Sequence, residues 1–542
     1  MNHMNGADAM VKCLEKEGIK AVFGYPGVAI CPFFNSILNS DIESILVRTE
    51  QNAGHAANGY ARVTGEVGVC VATSGPGATN LITGIATAFA DSIPIVCITG
   101  QVKSSLLGSD VFQEADITGA AESFVKYSYL VKNVDEIPRV FKEAFHIAST
   151  GRKGPVLIDI PIDIQNASIA KFRYPEEVSL RTYKPTVNGN IVQIKKVIKE
   201  LERAERPIIC AGGGVLLSNA EPELREFSEK YRIPVVSTMM GIGAMPTEHP
   251  MYYGMVGNNG KPYANRAMNE SDLLIVVGAR VADRAMSQPD LITGNKVMVH
   301  IDVDPAEIGK NVGPSIPLVG DIKHILLDIG KHEFECEHNL WVNTLDLYRE
   351  TMKTKRKTNP NFVNPESFIG ILSKELDENA VYVADVGQNQ MWSCAYHVVK
   401  KGKFLTSGGM GTMGYSIPAA MGAKKALGKD RQVIAVCGDG SFQMSMMELA
   451  TIRQHDIPIK IIVFNNHYLG MVREYQHYTY SDHYSVVDLT GSPDLEKLSS
   501  AYDVKYTRVD NMDDAAAKIS AFLDEQGTSL MECMIDPMEL VI

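Results

Sequence analysis

The chain has 542 residues, enough for about three domains of ordinary size, with 52 basic and 64 acidic side chains and a formal net charge of −12. No Lys/Arg cluster forms a phosphate-tracking stripe, which argues against nucleic acid, and no apolar run reaches the roughly 18 residues that cross a bilayer. The first ten residues lack a signal-peptide core, and nine scattered cysteines without a CxxC pair read as small buried hydrophobes, so a soluble cytoplasmic enzyme subunit is expected.

Apolar, β-branched runs alternate with amphipathic helical patterns in three blocks, which predicts an α/β protein of three doubly wound domains with mostly parallel sheets. The first block covers residues 1–172, with a helix over Ala7–Glu17 and strands near Ala21–Phe23, Gly68–Ala72, Ile95–Thr99 and Val156–Ile160. A polar stretch, Arg173–Asn190, reads as a linker. The second block, 190–332, opens with a charged helix (QIKKVIKELERAER), then a strand, Pro207–Ala211, running into Gly212, Gly213 and Gly214. Strands Leu273–Val277 and Val297–Ile301 follow, as in a nucleotide-type fold, although a triple glycine is equally a plain strand-to-helix turn. A second linker (TMKTKRKTNPNFVNPES) leads to the third block, 360–542. No internal repeat is visible between the blocks.

The third block carries the most informative spacing: Gly438-Asp439-Gly440, 24 residues, then Asn465-Asn466. Strand-like runs Gln432–Cys437 and Ile459–Phe464 lead into the two motifs, and Phe442–His455 between them has Met446, Leu449, Ala450 and Arg453 at helical spacing. Such a crossover brings both motif ends to one sheet edge. There a carboxylate (Asp439) and an amide oxygen (Asn466) suit a hard cation such as Mg²⁺, which completes its shell with phosphate oxygens. Glycines beside Asp439, with Ser441 following, let backbone N–H groups approach a diphosphate. GDG alone is also an ordinary turn; the spaced NN and the flanking strands favour the motif reading, and the whole segment resembles the thiamine diphosphate signature.

Glu50 opens a helix after the apolar Ile45-Leu46-Val47, where a lone Glu is usually a dipole-complementing surface residue. The neighbouring Ser74–Asn80 (SGPGATN) follows a strand with two glycines and a proline, a loop built for close approach to a ligand. Taken in order, GYPG from Gly24, EQNAGHAANGYAR from Glu50, SGPGATN, GQVKSSLLGSDVFQEADI from Gly100, ARVADR from Ala279, HIDVDPAEIGKN from His300 and TSGGMGTMGYSIPAA from Thr406 resemble the biosynthetic acetolactate synthase (acetohydroxyacid synthase) catalytic subunits. The resemblance covers nearly the whole chain.

It implies pyrimidine-binding, central and diphosphate-binding domains in that order. The implied reaction is decarboxylation of pyruvate on thiamine diphosphate and transfer of the two-carbon unit to a second 2-keto acid, giving 2-acetolactate or, from 2-ketobutyrate, 2-aceto-2-hydroxybutyrate. Glu50 is then the acid that works on the aminopyrimidine. Pro26, Pro76, Gln388, Asn389, Gly411 and Met413 match positions around the cofactor, Met413 as an apolar wedge. Tyr468 offers its backbone carbonyl to the metal beside Asp439 and Asn466, and Leu469, Gly470 and Met471 follow at the cofactor. Arg284 matches the arginine that holds the acceptor's carboxylate, and Phe112, Gln113, Val28 and Tyr475 line the substrate channel. Gly212, Gly213, Gly214, Thr238, Met239, Arg280, Arg284, Asp302, Asp304 and Asp321 match positions around an FAD that takes no part in the net reaction. Because Glu50 and Asp439 belong to different blocks, the resemblance implies an active site shared between subunits, in a homodimer or tetramer, with a small regulatory subunit as a further partner.

The chain departs from the family at several points. RVADR replaces RFDDR, GNNG at Gly257–Gly260 replaces GMHG, Val28 replaces a glycine, Thr49 a histidine, Lys103 a proline, and Tyr475 the usual indole, which bears on acceptor choice. The sequence stops at DPMELVI, short of the tail that folds over the site in relatives, and weaker water exclusion is expected. Another thiamine diphosphate decarboxylase, oxidase or carboligase is the competing reading. A non-catalytic regulatory subunit is disfavoured by retention of Glu50, Asp439 and Asn466 together.

Overall fold

The computed structural model describes residues 4–285, 296–334, 336–352 and 358–541. It contains three six-stranded sheets, and every paired strand within them is parallel. The first sheet runs, in spatial order, Glu43–Leu46, Ala21–Tyr25, Gly68–Ala72, Ile95–Gln101, Val156–Pro161, Tyr127–Leu130. The third runs Lys403–Thr406, Val381–Ala384, Val433–Gly438, Lys460–Asn465, Ser529–Met534, Lys505–Val509. Numbered along the chain, both sheets have the order 2-1-3-4-6-5. The same topology is therefore built twice from sequences with no visible repeat. The central sheet runs Tyr252–Met255, Val235–Ser237, Pro207–Ala211, Leu273–Val277, Val297–Asp302, Ile316–Val319, which is 3-2-1-4-5-6, the order of dinucleotide-binding sheets.

Strands such as Gly68–Ala72 and Leu273–Val277 are buried at every position, because helices cover both faces of a parallel sheet. The edge strands Glu43–Leu46 and Tyr127–Leu130 are only half buried and correspondingly polar. The helix Asn339–Thr351 packs onto the central domain, where the buried Trp341 donates its indole N–H to the Pro207 carbonyl at 3.1 Å. Residues 353–357 of the second linker lie outside the described residues. The helix expected over Phe442–His455 is two pieces, Asp439–Gln443 and Glu448–Gln454, joined by turn residues. The break turns Glu448 inward, and Leu449 stays in the core as its spacing predicted.

The N-terminal and C-terminal domains are pressed together through one helix crossing. On the Glu50–Thr64 helix a Cβ at Gly59 would stand 2.0 Å from the Ala419 carbonyl oxygen, and on the Ser416–Leu427 helix a Cβ at Gly422 would stand 1.8 Å from that of Ala56. Only glycines allow the two backbones this approach.

Candidate active site

In each sheet the chain reverses its winding between the first strand and a non-sequential neighbour, and ligands of such folds sit beyond the strand carboxyl ends at that point. In the third sheet the point falls between Val381–Ala384 and Val433–Gly438, whose ends carry Gln388 and the Gly438–Ser441 turn. Gln388 Oε1 accepts from Asn466 Nδ2 at 3.1 Å, so the first strand's end is tied to the NN motif. Gly470 fits only as glycine, since its Cβ would lie 2.1 Å from Gln388 Oε1. A Cβ at Gly440 would come within 2.8 Å of Leu469 and 3.6 Å of Met413. The fold thus gathers Gln388, Met413, Gly438, Asp439, Gly440, Ser441, Asn466 and Leu469 to Met471. Tyr468 lies between them, its N–H donating to Asn466 Oδ1 at 3.0 Å.

Asp439 is the electrostatic focus of this group. Its Oδ1 accepts from Gly440 N at 3.0 Å, while Oδ2 is buried with no partner among the described residues. Burial pushes its carboxyl up to about 7, partly opposed by the backbone N–H groups of Gly440 and His467. A buried carboxylate oxygen without a partner is costly unless a cation meets it. Asn389 donates its amide to the Asp385 carbonyl at 2.8 Å and the Val436 carbonyl at 3.3 Å, and its Oδ1 lies beside the motif, 3.4 Å from where a Cβ at Gly438 would stand. Met413 sits in a loop shaped by Gly411 (φ 68°) and Gly414 (φ 83°).

The N-terminal switch point lies between Ala21–Tyr25 and Gly68–Ala72. Thr49 caps the helix that follows the edge strand, accepting from Asn52 N, and this sets Glu50 at the first helical position. Glu50 is buried, accepts from Asn80 Nδ2 at 3.0 Å, and has Gly77 close enough that a Cβ there would lie 3.1 Å from Oε1. Gly75 adopts φ 61° with Gln113 beside it, and Pro76 begins the next short helix. Around Glu50's loops Pro26 is exposed, as are Val28 (75%) and Phe112 (87%); on the C-terminal domain Tyr475 is 59% exposed.

At the central switch point, between Pro207–Ala211 and Leu273–Val277, a cavity of about 690 Å³ opens. Its wall includes Gly213, Gly214, Thr238, Met239, Arg280 and Arg284. Asp302 and Asp321 complete that side, and Gly411 and Met471 of the C-terminal domain close the other. Burial pushes the Asp302 carboxyl up to about 6. Gly212 lies under the wall, packed on Gly278 and Ala279, and Asp304 forms an ion pair with Arg152 at 3.1 Å.

The description "Thiamine pyrophosphate enzyme, N-terminal TPP binding domain" matches residues 4–120, the corresponding central domain 194–329, and the C-terminal TPP binding domain 385–533. Along its length the chain is 44% identical to a probable acetolactate synthase large subunit of Methanocaldococcus jannaschii, covering 99% of this chain and 93% of the relative. The chain belongs to the acetolactate synthase family. An acetolactate synthase of Arthrospira platensis is 41% identical over 99% of this chain and 95% of its own, and an acetolactate synthase large subunit of Haemophilus influenzae 40% over 100% and 96%.

In this acetolactate synthase-family chain the structure adds residues that sequence reading missed. Asp385, fully buried, accepts from Gly414 N at 2.9 Å and Ser416 N at 2.7 Å, fixing the loop that carries Met413. Glu448 accepts from Arg48 N at 2.8 Å and Asn52 Nδ2 at 2.9 Å, clamping the start of the Glu50 helix from the C-terminal domain. Glu474 takes Gln388 Nε2 at 2.8 Å and Val541 N at 3.0 Å, and Gln388 also donates to the Glu539 carbonyl at 2.9 Å. The last residues therefore lie against Gln388. An acidic residue directly after an apolar strand, as in YVAD, was the available signal for Asp385. Among the described residues no helix is long and apolar enough to cross a membrane.

Proposed function

We propose that this chain is an acetolactate synthase catalytic subunit, condensing pyruvate with a second 2-keto acid. One observation carries the reading. Asp439's unpartnered oxygen and Asn466 share a switch point with Gln388, in a chain that aligns end to end with acetolactate synthase large subunits.

Asp439, Asn466 and the Tyr468 carbonyl would hold Mg²⁺. Among the described residues no three His, Cys, Asp or Glu side chains converge, so the cation would lean on amide, backbone and phosphate oxygens, as Mg²⁺ commonly does. Bound thiamine diphosphate supplies a carbon nucleophile and an electron sink. Glu50, held in place by the amide of Asn80, would exchange a proton with the cofactor's aminopyrimidine ring. Met413 and Gly411, in the loop fixed by Asp385, would support the cofactor from one side. Arg284, on the cavity shared with Gly411 and Met471, binds the acceptor's carboxylate through its guanidinium fork.

The central cavity suits FAD: guanidinium groups of Arg280 and Arg284 for a diphosphate, Asp302 and Asp321 for hydroxyls, and a dinucleotide-type strand order. Glu50 finds its hydrogen bond within its own domain, and exposed apolar side chains surround both it and the Tyr475 region. This supports a homodimer, alone or paired into a tetramer, in which one subunit's Glu50 faces the other's diphosphate site. The relatives' large-subunit names imply a smaller companion subunit, and the cytoplasm is the proposed compartment.

Incubation with pyruvate, thiamine diphosphate and Mg²⁺ should yield acetolactate; carbon dioxide with only free acetaldehyde would overturn the reading. Glu50→Gln should abolish most turnover while largely retaining cofactor binding, and unchanged activity refutes the assigned role. Active monomers in sedimentation would contradict the shared site.

A further inference from the structure

A second cavity, of about 270 Å³, lies where the three domains meet. Ile93 comes from the first domain, Leu216 and Ile242 from the second, and Val399 and Phe404 from the third, giving it an apolar body. Its charged lining is one-sided: Arg62, Lys153, Arg225, Lys400, Lys401 and Lys403 against Asp91 and Glu221. The lining thus carries more cations than acids, in a chain whose net charge is −12.

Several of these charges are not matched by a carboxylate. Lys401 is matched outside the cavity by Glu378, whereas Lys400 is engaged outward with the Leu376 carbonyl only through a hydrogen bond. Lys153 donates to the Leu217 carbonyl at 2.8 Å, and Lys403 to that of Arg62 at 3.2 Å. Among the described residues Arg225 forms no ion pair, and the buried Nε of Arg62 has no partner. Burial lowers the Lys153 ammonium, countered by Asp321 and reinforced by the charge of Lys403, so the two ammonium groups feel each other. An anion between them would relieve both.

We propose that this cavity binds a small amphiphilic carboxylate, its aliphatic body on Leu216, Ile242 and Phe404 and its carboxylate among Lys153, Arg225 and Lys403, and that occupancy regulates the active site. The volume is below that of drug-sized sites and favours a body of about half a dozen carbons. Coupling has a short physical route. Asp91, Lys153, Gly213, Leu217, Met239 and Met240 line both cavities. Asp91 pairs with Arg62 at 2.7 Å and accepts from Gly409 N at 2.7 Å, two residues before Gly411. A ligand drawing on the cations would shift that pair and the glycine loop beyond it.

The regulatory half rests on the proposed activity; binding does not. Saturation-transfer NMR on the full chain with 4-methylpentanoate should show saturable binding, weaker by about tenfold or more in Arg225→Gln/Lys403→Met and for neutral 4-methylpentanamide, since one lost charge-assisted hydrogen bond already costs about tenfold. Absence of saturable binding, or equal affinity for acid, amide and variant, overturns the site. Arg225→Gln alone, at an exposed position, serves if the double variant does not fold. In pyruvate kinetics the acid should change kcat or KM of the wild type, and the double variant should keep basal activity but lose the response. Unaltered wild-type kinetics with binding present overturns the regulation. If pyruvate is not turned over at all, the proposed activity fails, and the binding comparison still decides the site.

Discussion

Replacing Glu448 with Ala tests how the C-terminal domain positions the Glu50 helix. The Glu448 side chain is fully buried, with Oε1 accepting from Arg48 N at 2.8 Å and Asn52 Nδ2 at 2.9 Å, and Oε2 from Thr451 Oγ1 at 2.6 Å. Glu448→Ala strands the Arg48 and Asn52 donors in the interior at about 1–3 kcal/mol each. Thr451 loses less, because its hydroxyl also approaches the Leu46 carbonyl at 3.1 Å. Against this loss, burial raises the Glu448 carboxyl above the ordinary carboxylate range, so removing the group relieves a desolvation cost. The balance is a loss of about 2–4 kcal/mol, read from urea unfolding. Glu448→Gln keeps Oε1 for both donors and turns its amide N–H toward Thr451, so its loss should stay near about 1 kcal/mol. Arg48 and Asn52 flank Glu50, and a misplacement of about 1 Å in such a site costs about a hundredfold in rate, so Glu448→Ala should also lower kcat steeply while Glu448→Gln recovers most of it. A double-mutant cycle with Asn52→Ala isolates the contact and should give a coupling of about 1–3 kcal/mol. Strict additivity, together with an unchanged unfolding midpoint and kcat in Glu448→Ala, would refute the clamp.

At the helix crossing, Gly422→Ala would set a Cβ 1.8 Å from the Ala56 carbonyl oxygen, forcing two backbones apart at a cost of about 1–3 kcal/mol or more. Gly370→Ala, helical and with nothing within 4 Å of the new Cβ, should instead gain about 0.5–1 kcal/mol; equal effects in urea unfolding would dismiss the packing argument. Burial pushes the Asp159 carboxyl up to about 7 from 3.8, opposed by hydrogen bonds from Thr99 and Gln101. The folded chain then holds this proton more tightly than the unfolded one, so the contribution is complete below about pH 4 and is lost as pH rises toward 7. Asp159→Asn should flatten the fall in stability between about pH 4 and 7, and an unaltered slope would show that Asp159 does not titrate there.

Much of the architecture was legible because parallel strands covered on both faces must be continuously apolar. Gly68–Ala72 and Leu273–Val277 begin and end where their apolar runs do. The edge strands Glu43–Leu46 and Tyr127–Leu130 gave no such signal, since half their side chains meet water. The GDG and NN motifs were legible together because they end adjacent strands joined by one local crossover. The helical spacing of Met446 to Arg453 predicts one continuous helix where the structure has two, because spacing does not report the turn residues before Glu448.

Residues close along the chain suffice to mark the central strands, the motif ends and the glycines of tight turns. Only the tertiary structure decided that the first and third sheets share one strand order, that Glu448 grips Arg48 across 400 positions, and that the final residues meet Gln388 and Glu474. Those choices rest on which strands pair and which buried polar groups find partners, and such long-range satisfaction leaves no periodicity in the chain for a reader to find.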